Sequence, residues 1–134
     1  MKKYSVLIVC LVLTMAAMSQ KPIINFQDKV HDFGKINEKD GNVTHVFDFT
    51  NKGNTPLVIS RVQASCGCTT PAYTKEPVEA GKKGAITVTY NTANRPGAFN
   101  KTITVYSNDT TQQVVLIIKG EVIPKETPKE AVKK

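Results

Sequence analysis

Alternation between apolar and polar residues dominates the chain beyond about residue 20. The clearest case is residues 43–49, where every second residue from Val43 to Phe49 is apolar or aromatic. The same period of two recurs at residues 85–90 and 101–106. Successive side chains of an extended strand point to opposite faces, so this period predicts strands with one buried face.

Clusters of Gly, Pro, Asn and Asp separate these segments and mark turns. About seven strands are predicted, at residues 23–26, 30–33, 43–49, 57–62, 85–90, 101–106 and 114–123. Short strands with turns every eight to twelve residues are typical of an immunoglobulin-like antiparallel β-sandwich, which is the predicted fold. A closed barrel is the alternative, because the number of strands alone does not distinguish the two.

Two segments depart from simple alternation. Residues 64–84 lack a clear period and are predicted to be irregular, and they contain Cys66-Gly67-Cys68. Residues 114–118 are apolar at five successive positions. This run predicts either a strand buried on both sides or an edge strand covered by the tail or by a partner.

The first nineteen residues have the layout of a secretory signal peptide. Two lysines follow Met1, an apolar stretch follows them, and Ala17-Met18-Ser19 supplies small residues for cleavage before Gln20. The apolar stretch is shorter than the roughly 20 residues that span a bilayer, which argues against a membrane anchor. Lipid attachment at Cys10 is the other alternative, but apolar residues continue past this cysteine, so we assign it to the signal.

Residues 20–123 are predicted to form one domain, and residues 124–134 a flexible charged tail. The formal charge of the chain is +7, and loss of the two signal lysines leaves +5. The tail has four lysines and two glutamates, so the domain itself carries only about +3. Its basic residues are scattered, and we therefore predict no nucleic-acid partner. No membrane span is expected after cleavage.

Several short motifs occur in an order that resembles a bacterial family catalogued as a domain of unknown function, DUF1573. The resemblance covers about residues 30–123, and its most specific block is Ser65-Cys66-Gly67-Cys68-Thr69. The other matching segments are residues 32–36, 46–51, 56–59, 80–84 and 119–122. The resemblance implies export and an immunoglobulin-like sandwich related to the ASH, hydin and major sperm protein modules, and it implies no established activity.

Cys66 and Cys68 are the only cysteines left after signal cleavage, and they form a candidate disulfide or redox pair. A disulfide across so short a loop constrains the unfolded chain by only about 1.6 kcal/mol, against about 3 for a fifteen-residue loop. Three uses remain open: a labile redox pair, a soft-metal clip, or a rigid turn. A closed zinc site needs four ligands, and His31 and His45 are the only further histidines. No metal and no cofactor are predicted.

Residues for catalysis are not apparent in the sequence. His45 shares a predicted inward face with Phe47, which favours a partly buried core histidine, and His31 lies in a short strand or bend. A Cys–His nucleophile pair would require one of them to reach Cys66. Serine-hydrolase, phosphate-loop and zinc-protease motifs are absent, and no catalytic residue is assigned. We predict that the protein is not an enzyme.

Two functions are therefore carried forward. The first is an exported, non-enzymatic binding or structural module of the cell envelope, located in the periplasm or at the cell surface, whose partner is an envelope protein or polysaccharide. The second is a thiol-redox or soft-metal-binding protein that uses the Cys66-Gly67-Cys68 turn. The sequence does not identify the partner or the oligomeric state.

Overall fold

The computed structural model describes residues 19–126. The predicted signal peptide, apart from Ser19, and the predicted tail from residue 127 onwards lie outside these residues. Within them no helix is long and apolar enough to cross a membrane. The strands are β1 (Ile24–Phe26), β2 (Val30–Asn37), β3 (Val43–Asn51), β4 (Ile59–Ala64), β5 (Thr69–Tyr73), β6 (Lys83–Tyr90), β7 (Gly97–Ser107) and β8 (Gln113–Ile123), and a 3₁₀ turn covers Glu38–Asp40.

The strands of residues 19–126 form two four-stranded sheets packed face to face. Sheet A has the order β1-β3-β6-β5 and sheet B the order β2-β8-β7-β4. All pairs are antiparallel except β2 with β8, which run parallel. The predicted immunoglobulin-like sandwich is confirmed, and the barrel alternative is wrong because the two sheets remain separate.

The core lies between the sheets and is built from alternate residues of the long strands. Phe47 and Phe49 of β3 and their neighbours on β6 face Ile103 of β7 and Ile118 of β8 across the interior. The inward positions that alternation predicts on β6 and β7 are buried, and on β3 Phe47 and Phe49 are buried whereas Val43 and His45 are half-buried. The fully buried side chains of the core are Phe47, Phe49, Leu57, Ile86, Val88, Ile103, Val105, Leu116, Ile118 and Val122.

The structure has eight strands where about seven were predicted, because β5 lies inside the segment expected to be irregular. β5 contains Pro71, which lacks a backbone N–H. It pairs only with β6 and forms the edge of sheet A. An edge strand tolerates proline because one side of the strand needs no hydrogen-bond partner.

The apolar run at residues 114–118 was predicted to be a strand buried on both sides or a covered edge strand, and the structure shows neither. β8 is an interior strand of sheet B, between β2 and β7. Its inner face is fully buried at Leu116 and Ile118, whereas Val115 on its outer face is 44% exposed. The run therefore belongs to an interior strand with one buried face and one apolar face that is open to solvent.

Within residues 19–126, five connections cross between the sheets, and two of them join edge strands at opposite corners of the sandwich. Residues 27–29 lead from β1 in sheet A to β2 in sheet B, and residues 65–68 lead from β4 in sheet B to β5 in sheet A. The second corner contains both cysteines of the described chain. We call residues 65–69 the disulfide corner.

Asn51 is a fully buried polar residue at the end of β3. The side-chain oxygen Oδ1 of Asn51 accepts hydrogen bonds from the backbone N–H groups of Ile23 at 3.2 Å and Gly53 at 2.9 Å. Its amide nitrogen donates to the carbonyl oxygens of Thr55 at 2.7 Å and Val78 at 2.9 Å. A neutral amide can make these four bonds, and the side chain therefore ties the start of β1 to two loops.

Replacing Asn51 by Ala is expected to lower the free energy of unfolding by about 3 kcal/mol, because several backbone groups lose their partners in a buried site. The matched control is Asn54→Ala, which removes one exposed hydrogen bond, from the N–H of Lys21. The control should change stability by less than about 1 kcal/mol. Urea unfolding of both variants measures the difference, and equal losses would contradict the assigned role of Asn51.

Candidate functional site

The disulfide corner joins Cys66 to Cys68 through a disulfide, with their Cα atoms 5.3 Å apart. The backbone on each side of the bridge is held by a neighbouring strand or loop. The N–H of Ser65 donates to the carbonyl of Thr102 at 2.9 Å, and the N–H of Asn91 donates to the carbonyl of Cys68 at 2.8 Å. The position of the corner thus depends on backbone pairing as well as on the bridge.

The two sulfur-bearing residues differ in burial. Cys68 is 6% exposed and belongs to the core, whereas Cys66 is half-buried and packs against the margin of the core. Gly67 between them is exposed. The hydroxyl oxygen of Thr69, a residue that is 4% exposed, lies 3.8 Å from the sulfur of Cys66 and 3.8 Å from that of Cys68. One polar hydrogen therefore lies within reach of both sulfurs.

The histidines lie on the opposite side of the sandwich. His31 on β2 stacks on His45 on β3, with ring centroids 3.6 Å apart and planes 8° from parallel. Phe33 and Phe47 contact this pair edge-on. β2 and β4 form opposite edges of sheet B, about 14 Å apart at the usual strand spacing. The structure therefore brings the two histidines together but brings neither to Cys66.

Metal ligation is not supported by the described part of the chain. Among residues 19–126, no group of three or more His, Cys, Asp or Glu side chains is placed to hold a metal ion. The Cys66–Cys68 sulfurs are joined to each other, and a disulfide sulfur is a weak ligand compared with a thiolate.

The outer face of sheet B carries an apolar patch. Val30 is 50% exposed and pairs with Ile117, and Val115 on the same face of β8 is 44% exposed. At one margin of the patch, the guanidinium carbon of Arg61 lies 4.2 Å from the ring centroid of Tyr106. We call Val30, Val115 and Ile117 the sheet B patch.

Two features of these sites were missed in the sequence. Thr69 was read only as part of a motif, and its contact with both sulfurs depends on how the corner folds. Part of the sheet B patch lies in the apolar run 114–118, which the sequence shows. Val115 and Ile117 face outwards only because β8 packs Leu116 and Ile118 on the core. The pairing of Val30 with Ile117 joins distant parts of the chain, and no local signal predicts it.

Two four-stranded sheets packed face to face, with their edge strands connected at both corners, define a domain of the immunoglobulin-like and PapD-like class. Residues 24–122 match the family described as "Protein of unknown function (DUF1573)". The chain therefore belongs to this family, which confirms the resemblance seen in the sequence. Among curated proteins, no sequence matches the chain.

Solved structures show the same fold at low sequence identity. A protein of unknown function from Porphyromonas gingivalis superposes with a TM-score of 0.68 at 14% identity, over 81% of this chain and 51% of that one. This chain thus spans about half of that protein. The ASH/PapD-like domain 7 of human CEP192 gives a TM-score of 0.64 at 9% identity, over 80% and 89% of the two chains.

A third similar structure is the secreted serine protease VesC from Vibrio cholerae, with a TM-score of 0.57 at 18% identity. The match covers 82% of this chain but only 25% of the protease. Identities this low show the fold alone, so the peptidase activity of VesC says nothing about this chain.

The histidine pair leads to a pH dependence of stability. Burial, and secondarily the charge on His31, hold the pKa of His45 below its ordinary value of 6.5, while Asp28 and Asp48 oppose this shift. The unfolded chain therefore binds the proton more readily than the folded chain. Stability is expected to be full above about pH 6.5 and to decrease as the pH falls from there towards the folded-state pKa of His45.

The midpoint of urea unfolding, measured between about pH 8 and about pH 5, checks this expectation. His45→Gln should flatten the decrease over this range. His31→Gln should retain most of it, because burial is the larger cause of the shift. A wild-type midpoint that does not change with pH, or a His45→Gln variant with an unaltered profile, would contradict the assignment.

Proposed function

We propose that the protein is an exported, non-enzymatic binding module of the cell envelope that binds an envelope protein through the sheet B patch. The observation that carries this proposal is the exposure of Val30 and Val115 on the outer face of sheet B, beside Ile117. Exposed apolar residues that adjoin on a sheet are a recurrent feature of protein-binding surfaces.

The sheet edges are less suitable than this face for adding a partner strand. The ladder of β2 is interrupted between Asp32 and Lys35, and that of β4 between Ile59 and Arg61. β5 contains Pro71, which cannot donate a backbone hydrogen bond. Bulges and prolines of this kind hinder pairing along an edge, so we favour binding across the face of sheet B.

The chemistry of the patch favours a protein over a polysaccharide. Val30, Val115 and Ile117 present only aliphatic carbon groups, which bind apolar side chains through burial. Sugar rings commonly stack on an exposed aromatic ring, and the Tyr106 ring beside the patch is instead covered by Arg61. The partner we propose therefore has an apolar surface patch, with room at its margin for a group that accepts hydrogen bonds from Arg61.

Support for a non-enzymatic role comes from the shape and charge of the surface. The groove beside the bulge of β2 has a volume of about 410 Å³ and is open to solvent. Its charged lining residues alternate in sign, with Asp32 and Glu121 beside Lys35 and Lys119. Active sites are usually enclosed and bring together groups with strongly shifted pKa values. We therefore propose binding rather than catalysis.

Support for export comes from the sequence and from the disulfide corner. The amino-terminal residues have the pattern of a cleaved signal. The Cys66–Cys68 bridge is a bond that persists mainly in oxidising compartments. We therefore place the module in the periplasm or at the cell surface.

Replacing Val115 by Glu is expected to weaken binding to the envelope partner by about tenfold or more, because a charge replaces an apolar contact. Val46→Glu is the matched control, since Val46 is equally exposed, at 44%, but lies on the outer face of sheet A. Tagged wild-type protein first captures the partner from an envelope extract. Binding of the purified partner to each variant is then measured by calorimetry.

Val30→Glu, on the same face as Val115, should reproduce the loss. Equal binding by the Val115→Glu and Val46→Glu variants would overturn the role of the sheet B patch. A polysaccharide as the only captured ligand would overturn the assignment of a protein partner. Concentration-dependent self-association that Val115→Glu abolishes would mean that the patch binds a second copy of the chain instead.

A further inference from the structure

We propose that Cys66 and Cys68 form a reversible disulfide–dithiol pair, in which Cys66 is the sulfur that exchanges with an external dithiol. The partner in this exchange is a protein or small molecule with two neighbouring thiols, such as a Cys-x-x-Cys protein. This function is separate from binding at the sheet B patch. The two sites differ in residues and in position, and either can fail without the other.

The unequal burial of the two cysteines determines which sulfur is attacked. Cys66 is half-buried and Cys68 is 6% exposed. An incoming thiolate must approach one sulfur along the axis of the S–S bond, and access is one of the factors that sets its rate. Gly67 between them is exposed, and a Cβ atom placed on it would meet no atom beyond its two neighbours within 4 Å, so the bridge adjoins open solvent.

The exchange balances as a two-electron reaction. A thiolate of the external dithiol attacks the sulfur of Cys66, the Cys66–Cys68 bond breaks, and Cys68 leaves as a thiolate that takes up a proton. The second thiol of the partner loses its proton and attacks the mixed disulfide, which releases the Cys66 thiolate. Cys66 and Cys68 are then reduced, and the external dithiol is oxidised to its disulfide.

Thr69 is placed to assist the first step. Its hydroxyl lies 3.8 Å from each sulfur, so it can donate a hydrogen bond to the Cys68 thiolate as the bond breaks. Cys68 is buried, and burial without a donor would disfavour the charged form. Thr69 is therefore proposed as a positioning residue that lowers the pKa of the leaving thiol.

Lys101 of β7 is proposed to assist the reverse step. Ala64 of β4 pairs with Ile103 of β7, and the N–H of Ser65 donates to Thr102. β4 ends at Ala64, and this register, carried two residues further, would bring Cys66 to Lys101. A neighbouring ammonium group favours the thiolate form of a cysteine, which is the form that attacks an external disulfide. Reduced Cys66 is thereby proposed as the nucleophile when the pair is oxidised.

The fold is compatible with both oxidation states. The backbone hydrogen bonds from Ser65 to Thr102 and from Asn91 to Cys68 do not involve the sulfurs. The bridge also closes a very short loop, so its loss frees little additional entropy in the unfolded chain. Reduction is therefore expected without unfolding of the domain.

The first experiment reduces the native protein with dithiothreitol and counts free thiols by maleimide labelling and mass spectrometry. Cys10→Ser is introduced wherever the signal is retained. Two thiols should appear while circular dichroism still reports the native fold, and oxidised glutathione should restore the bridge. A bridge that is reduced only in denaturant would overturn the proposal and leave a structural disulfide.

The second experiment identifies the attacking and attacked sulfur. The single-cysteine variants Cys68→Ser and Cys66→Ser are mixed with oxidised glutathione under native conditions. Cys68→Ser, which keeps Cys66, should form the mixed disulfide at least about tenfold faster, because its sulfur is the more accessible one. Equal rates, or faster reaction of Cys68, would overturn the assignment.

The third experiment tests Lys101 through the pH profile of Cys66 alkylation. A merely structural role of Lys101 would not shift this profile. Alkylation of Cys66 by iodoacetamide is followed against pH in the Cys68→Ser background. Lys101→Met should raise the apparent pKa of Cys66, whereas Lys119→Met, on an exposed residue of β8, should leave it unchanged. Identical shifts or no shift in both variants would remove Lys101 from the mechanism.

Thr69 is tested by the rate of reduction. Thr69→Val keeps the shape of the side chain but removes the hydroxyl, and dithiothreitol should then reduce the bridge several-fold more slowly. Thr69→Ser restores the hydroxyl and should restore the rate. A Thr69→Val variant that is reduced at the wild-type rate, or a Thr69→Ser variant that stays slow, would exclude the hydroxyl as a hydrogen-bond donor.

Discussion

Burial of the two inner sheet faces against each other is the interaction on which the rest of the structure depends. Phe47, Ile86, Leu116 and Ile118 are almost wholly removed from water. Full burial of each such side chain contributes about 1.5–3 kcal/mol. Every buried side-chain nitrogen or oxygen of residues 19–126 also has a hydrogen-bond partner. The domain is therefore held by its core, and the short bridge at the disulfide corner is not required to hold the sheets together.

The sequence allowed most of the fold to be predicted, because strand alternation is a local property. The strand was predicted to end at Phe49, but β3 continues to Asn51. The same alternation reaches Asn51 two residues after Phe49, so the sequence contains the signal for its inward position. β5 was not predicted because Pro71 and the neighbouring threonines show no alternation of apolar and polar residues. The order of strands in each sheet depends on contacts between distant residues, such as Val30 with Ile117, and no local pattern specifies them.

The candidate site could be predicted only in part, because its geometry also depends on contacts between distant residues. Cys66 and Cys68 stand out because the rest of the domain has no cysteine. Their unequal burial follows from how the corner turns between sheets. The proposed place of Lys101 beside Cys66 extends the pairing of β4 with β7 by two residues, and that pairing joins distant parts of the chain. His45 was predicted on a strand and His31 on a short strand or bend, and both lie on strands. Only the sheet order shows that β2 and β3 hold them on the side away from β4 and β5.

The parallel pairing of β2 with β8 has a kinetic consequence. β2 is near the beginning of the domain and β8 is its last strand, so sheet B cannot be completed until the chain up to Ile123 has been synthesised and has emerged. Contacts between such distant segments give a high contact order, which slows folding. During synthesis, sheet B therefore stays incomplete until its last strand has emerged. The delay leaves the free edges of β7 and β2 open to pairing with other chains, so β8 has to reach its place between them before such contacts form.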